Sequence, residues 1–139
     1  MRPIFISIFM LLFVLPAMAG LSFEETFTLG VGESVELGDD GLAIGFDGIQ
    51  SDSRCPTGVW CFWEGDAAAN LWILMQREER EDFVLHTFSD YAQSIELGSF
   101  TIELISVDPY PVINVPIDPE TYVVTLLVYE GAVVDEAHP

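Results

Sequence analysis

The sequence predicts an all-β domain, a single antiparallel β-sandwich of about immunoglobulin size or a small barrel of about seven or eight strands. Three observations lead there. Short runs of β-branched and aromatic residues recur between turn residues, and several alternate apolar with polar positions. Beyond the first residues, no long window repeats its apolar positions with helical spacing. A length of 139 residues suits one domain.

The opening segment reads as a leader rather than as part of that domain. Met1-Arg2-Pro3 is a short positive start, Ile4 to Leu15 is apolar apart from Ser7, and Ala17-Met18-Ala19 is a small-x-small cleavage site. Residues 1–19 are therefore expected to be a secretory signal peptide, leaving Gly20 as the new N-terminus. The apolar run is too short for a bilayer span, which takes about 20 residues. No cysteine follows the cleavage site, the first being Cys55, so no lipid anchor is expected. The expectation is a soluble, non-lipidated bacterial protein, periplasmic or secreted, with a β-sandwich over 20–134 and a frayed tail over 135–139.

Along that domain, Phe23, Phe27 and Leu29 begin a first strand that Gly30-Val31-Gly32 ends. Val35-Glu36-Leu37 is a second, stopped at Gly38-Asp39-Asp40-Gly41. Leu42, Ile44 and Phe46 alternate with Ala43, Gly45 and Asp47, as in a half-buried strand. Ala67 to Met75 is apolar on both faces and suits a central strand. The charged stretch Gln76 to Asp82 reads as a turn or one helical turn, and Phe83 to Phe88 as the returning strand. Phe100 to Leu104 alternates cleanly, and Tyr122, Val124, Leu126 and Val128 share the phase of the last strong strand.

Two segments break strand chemistry. Pro109, Pro111, Pro116 and Pro119 cannot pair in a sheet interior, so 108–119 reads as a stiff surface connection. The other is Ser51 to Asp66, which holds both cysteines. In an oxidising compartment an isolated Cys55/Cys61 pair is expected to be a disulfide. Its C-x5-C spacing does not suit a zinc or redox motif.

Chemistry is thinly supplied elsewhere. The two histidines are His86, in a strand, and His138, in the tail, and no Ser sits in a nucleophile-elbow motif. The acids are too many for any chosen pair to be informative about glycoside hydrolysis. No catalytic residue is assigned, and an enzyme is not expected. Calcium is the one cofactor considered, since oxygen ligands abound: Asp39, Asp40 and Asp47, and the candidates Asp52, Glu64 and Asp66. No EF-hand spacing accompanies them, and acids on turns commonly cap backbone N–H groups instead.

Asp plus Glu number 23 against 4 Lys plus Arg, for a formal charge of −19. Such an excess repels a nucleic-acid backbone and an anionic leaflet alike. The cation Arg54 stands inside the distinctive segment, together with Asp52, Pro56, Val59, Trp60, Trp63 and Gly65. Two uses of that segment fit together. As scaffold, Arg54 pairs with Asp52 or Glu64 and Trp63 covers the end of the sandwich. As contact surface, a stapled loop presents Val59 and Trp60 in a fixed shape. On this reading Trp63 lies inside and Trp60 outside.

Asp52-Ser53-Arg54-Cys55-Pro56, followed by Val59, Cys61, Trp63 and Gly65, resembles the D-S-R-C-P-x-x-V-x-C-x-W-x-G core of a group of small bacterial exported proteins and lipoproteins of unassigned function. Gly32 to Val35, Phe100 to Pro109 and Tyr122 to Val128 look similar as well. The resemblance implies a disulfide-stapled β domain in the periplasm or outside the cell, and implies no activity. Glu64 replaces the usual small residue after the tryptophan, and the lipidated Cys of many relatives is absent.

The function expected from these residues is an exported, acidic, non-catalytic module that binds a protein or small ligand through the end carrying loop 55–61. A calcium- or carbohydrate-binding module is the first alternative. An inhibitor-like module that offers the loop to an enzyme cleft is the second. Burial of Val59 and Trp60 would be incompatible with that last version.

Overall fold

In a computed structural model, residues 23–38, 41–76 and 79–131 are described. The expected leader over 1–19 and the tail over 135–139 lie outside these residues. The chain forms eight strands: β1 (Glu24–Gly30), β2 (Ser34–Leu37), β3 (Leu42–Asp52), β4 (Ala67–Leu74), β5 (Glu81–His86), β6 (Ser94–Leu97), β7 (Phe100–Asp108) and β8 (Val123–Glu130). They make two four-stranded antiparallel sheets, ordered β1-β8-β7-β6 and β2-β3-β4-β5. The molecule is a sandwich and not a closed barrel, so of the two architectures expected the barrel is set aside. Among the described residues, no helix is long and apolar enough to cross a membrane.

Alternation decides which side chains form the core. Val124, Leu126 and Val128 of β8 are fully buried, as are Ile44 and Phe46 of β3, Leu71 and Ile73 of β4, Leu85 of β5 and Ile102 of β7. These are the inward faces of the two sheets, stacked on each other. Ala67 to Met75 was expected to be central, and β4, which ends at Leu74, does lie between β3 and β5. Its outer face is covered locally: Trp72 lies over Gly45, its cross-strand partner. A Cβ at Gly45 would overlap the indole, so the missing side chain makes room for the ring.

Three departures from the sequence reading have local causes. β3 runs on through Gly48 to Asp52 across two register shifts, absorbing residues that break the period-two pattern. β7 likewise shifts register between Leu104 and Ser106, so the buried positions pass from Ile102 and Leu104 to Val107. β6 was not anticipated, although its Ser-Ile-Glu-Leu is close to the Ser-Val-Glu-Leu of β2; glycines flank β2 on both sides, whereas only Gly98 marks an end of β6.

The registers sort the connections by length. A tight turn joins β6 to β7, where Leu97 pairs with Phe100, and β2 and β3 meet at the same end, where Leu37 pairs with Leu42. Phe23 and Gly131, where the described residues begin and end, lie at this end as well, Phe23 packing edge-on against Phe100. The opposite end carries the three long connections, 53–66, 87–93 and 109–122, launched where Asp52 pairs with Ala67, Ala68 with His86 and Asp108 with Val123. Both segments that looked unlike strands therefore emerge at one end of the sandwich.

Candidate functional site

The base of the loop end is an ion pair. Asp52 is the last residue of β3, and Arg54 follows two positions later. The carboxylate takes Arg54 Nε–H at 2.8 Å on one oxygen and Nη2–H at 2.7 Å on the other. The remaining guanidinium donors reach across to the other sheet, Nη1 to the Val107 carbonyl at 2.6 Å and Nη2 to the Pro109 carbonyl at 3.0 Å. The Tyr122 hydroxyl, at the entry to β8, also donates to Asp52 at 2.9 Å. Two residues near one strand end thus tie the loop of one sheet to the long connection of the other.

Burial makes these contacts obligatory. Arg54 and Asp66 are the two buried charged side chains among the described residues, at 7% exposure each. Burial by itself raises the Asp52 carboxyl, but hydrogen bonds from Arg54 and Tyr122 outweigh it and hold the group below its ordinary value. For Arg54 burial works downward, and the Asp52 carboxylate more than restores the charged form. Burial and the adjoining carboxylate together push the Tyr122 phenol up. No buried side-chain nitrogen or oxygen among the described residues lacks a partner.

Asp66 closes the loop from its other side. One oxygen accepts from the backbone N–H groups of Thr87 and Phe88, each at 3.0 Å, and the second lies 2.7 Å from His86 Nδ1. Burial opposes its charge, yet the His86 and backbone hydrogen bonds prevail and keep the carboxyl below its usual value. Asp66 thus caps the connection leaving β5. Gly65 precedes it with φ +74, and a Cβ there would overlap the Ser53 carbonyl oxygen. Only glycine fits both the left-handed backbone and that close approach.

Above this base the Cys55–Cys61 disulfide staples the loop, with Cα atoms 5.9 Å apart. The proline-rich connection lies alongside as a strap. Thr57 N–H donates to the Pro111 carbonyl at 2.9 Å, and Ile113 N–H to the Thr57 carbonyl at 3.0 Å. The Tyr110 hydroxyl donates to the Cys55 carbonyl at 2.8 Å, and its ring lies 5.0 Å from the Arg54 guanidinium. Gly58 faces Ile113 so closely that a side chain would press on it. The sequence offered no link between these two segments, because the pairing is long-range and made through backbone.

The apolar side chains of the loop point outward. Phe62 is 95% exposed, Trp60 79%, Trp63 51% and Val59 43%. The strap adds Tyr110, Val112, Ile113 and Val115, and the 87–93 connection adds Tyr91. They form neighbouring groups: Trp60 packs edge-on against Phe62 at 5.1 Å, Trp63 against Phe88 at 5.5 Å and Phe88 against Tyr91 at 5.4 Å. Of the large apolar side chains exposed among the described residues, Ile105 alone lies away from these three connections.

The expected site residues divide accordingly. Asp52, Arg54 and Gly65 build the base, Cys55 and Cys61 the staple, and Val59 and Trp60 the exposed tip, with Pro56 between. Trp63 was expected inside; it is half exposed, packed nearly perpendicular to the Phe88 ring. Arg54 selects Asp52, and Glu64 is exposed. The calcium candidates do not converge, since Asp52 and Asp66 spend their oxygens on internal donors. Among the described residues no three His, Cys, Asp or Glu side chains are grouped to hold a metal ion. His86 is more than a plain strand residue, but Asp66 is the hydrogen-bond partner its ring has among the described residues, with no hydroxyl bonded to it. The sequence reading missed Phe62, Tyr91, Tyr110 and Tyr122. Phe62 alone carried a signal, lying inside the stapled segment between Cys61 and Trp63.

No protein-family model, curated protein or solved structure matches the chain.

Proposed function

We propose that the chain is an exported, non-catalytic interaction module that binds a partner through the long-loop end of its sandwich. One observation carries this reading: Trp60 and Phe62 are held almost fully in solvent on a loop secured by a disulfide, a strap and a buried ion pair. Exposed rings contribute nothing to the core and disfavour solubility, whereas aromatic anchors dominate interface energetics. Fixing them in advance lowers the ordering cost of association. Asp52 and Arg54 are spent on the scaffold, which leaves the exposed rings at the centre of the contact. A disulfide suits an oxidising compartment, in keeping with export.

The inhibitor-like form of this reading needs Val59 and Trp60 on the outside, and both are there. The test is capture from the exported fraction of the producing cells with the wild type and with Trp60→Ala/Phe62→Ala. Wild type should retain a partner that the variant loses, while the two melt at the same temperature. Equal capture would reduce the loop to a staple.

A further inference from the structure

We propose that the partner is a cationic protein surface, one offering an apolar site ringed by Lys or Arg. The proposal rests on the interaction-module reading and adds to it the chemistry of the partner.

The tip is apolar at its centre and acidic at its margin. Glu64 follows Trp63 and Asp90 precedes Tyr91 in the chain, Asp108 ends β7 just before the strap, and Asp118 and Glu120 lie in its last part; all five are exposed. No cation offsets them among the described residues at this end. Arg54 is buried, its charge met by Asp52 and two carbonyls. Arg80 lies beside Trp72 on the outer face of the β2-β3-β4-β5 sheet, paired with Asp47 and Asp82. The centre thus supplies apolar area and aromatic faces, while its rim has one sign of charge.

That combination separates the available partners. A second copy would bring two acidic rims together in chains that each carry −19, so self-association through this end is opposed. An anionic bilayer meets the same repulsion. A sugar chain lying across several rings wants them roughly coplanar, but Trp60 and Phe62 are inclined at 64° and Trp63 and Phe88 at 85°. A protein surface with Lys or Arg around an apolar site satisfies both zones. Its cations would meet the carboxylates, and those nearest the rings would gain cation–π attraction.

A random cyclic-peptide library displayed on phage and panned against the purified protein reads this preference directly. Enriched peptides should combine aromatic or aliphatic residues with Lys or Arg. Their affinity should fall about tenfold between low and moderate NaCl. Trp60→Ala/Phe62→Ala, which keeps every carboxylate, should weaken them by about tenfold or more. Neutral or acidic peptides that are lost on that substitution would overturn the cationic partner while leaving the docking end intact. Cationic peptides bound equally by wild type and variant would reduce the effect to bulk charge and overturn both readings. Failure to enrich any sequence would also overturn the proposal.

Discussion

Arg54 shows how one side chain can decide the shape of a loop. Its guanidinium completes a buried network with Asp52 and the carbonyls of Val107 and Pro109, and no water-facing substitute could reach all of them. Pairs of this kind add little net stability over an apolar replacement of both partners, but removing one partner strands the other. Arg54→Met should therefore cost about 3–5 kcal/mol in urea denaturation. Arg54→Lys should recover only part of that, because an ammonium cannot reproduce the two-pronged contact. The pH dependence follows from the same groups. Asp52 and Asp66 are held below their ordinary values, so their stabilisation is present above about pH 4 and disappears as acid takes the pH down through the lowered folded values. Tyr122 is raised, so its contribution is complete below about pH 10 and is lost as the pH climbs past that. Melting temperature should fall at both extremes, and Asp52→Asn should flatten the acid arm.

Among the elements, the stapled loop and its strap hold each other. The disulfide closes a loop over a sequence separation of 6, for which chain entropy gives about 2 kcal/mol. Reduction, or Cys55→Ser/Cys61→Ser, should lower stability by about that amount in chemical denaturation. The strands should survive, because the Arg54 network and the Thr57–Pro111–Ile113 hydrogen bonds persist without the sulfur bridge. Far-UV circular dichroism should therefore change little, while amide exchange at Thr57 and Ile113 should quicken. The strands were legible where alternation was long, as in β8, or where glycine turns bracketed a short run, as in β2; β6 has such a marker at Gly98 alone and went unseen.

For the whole molecule, the charge of −19 works against compactness through self-repulsion. Screening should relieve it, so raising NaCl from about 10 mM, where the Debye length is near 30 Å, to about 0.1 M should raise the melting temperature. CaCl2 and MgCl2 at equal ionic strength should act alike, because no three acidic side chains are grouped as a metal site among the described residues. A calcium-specific rise at millimolar concentration would contradict that. The same charge distribution makes the aromatic end the place where a partner finds apolar area inside an acidic field.

By itself the sequence determined the all-β class and the crosslink, and left the choice between sandwich and barrel to the fold. Period-two alternation fixes which faces are buried, and a lone cysteine pair six positions apart has only itself to join. It also singled out the Asp52–Gly65 segment, because cations, tryptophans and cysteines are scarce elsewhere. The tertiary structure decided what each of those residues does. Whether Arg54 meets Asp52 or Glu64, whether Trp63 is covered, and whether the proline-rich strap touches the loop all depend on how the two sheets align at one end. The contacts that tie the loop to the strap join residues more than fifty positions apart, as between Arg54 and Pro109, partly through backbone carbonyls that every residue possesses. A carbonyl leaves no mark in a sequence, so the acceptors that bury Arg54, and the tip they support, became visible only in the fold.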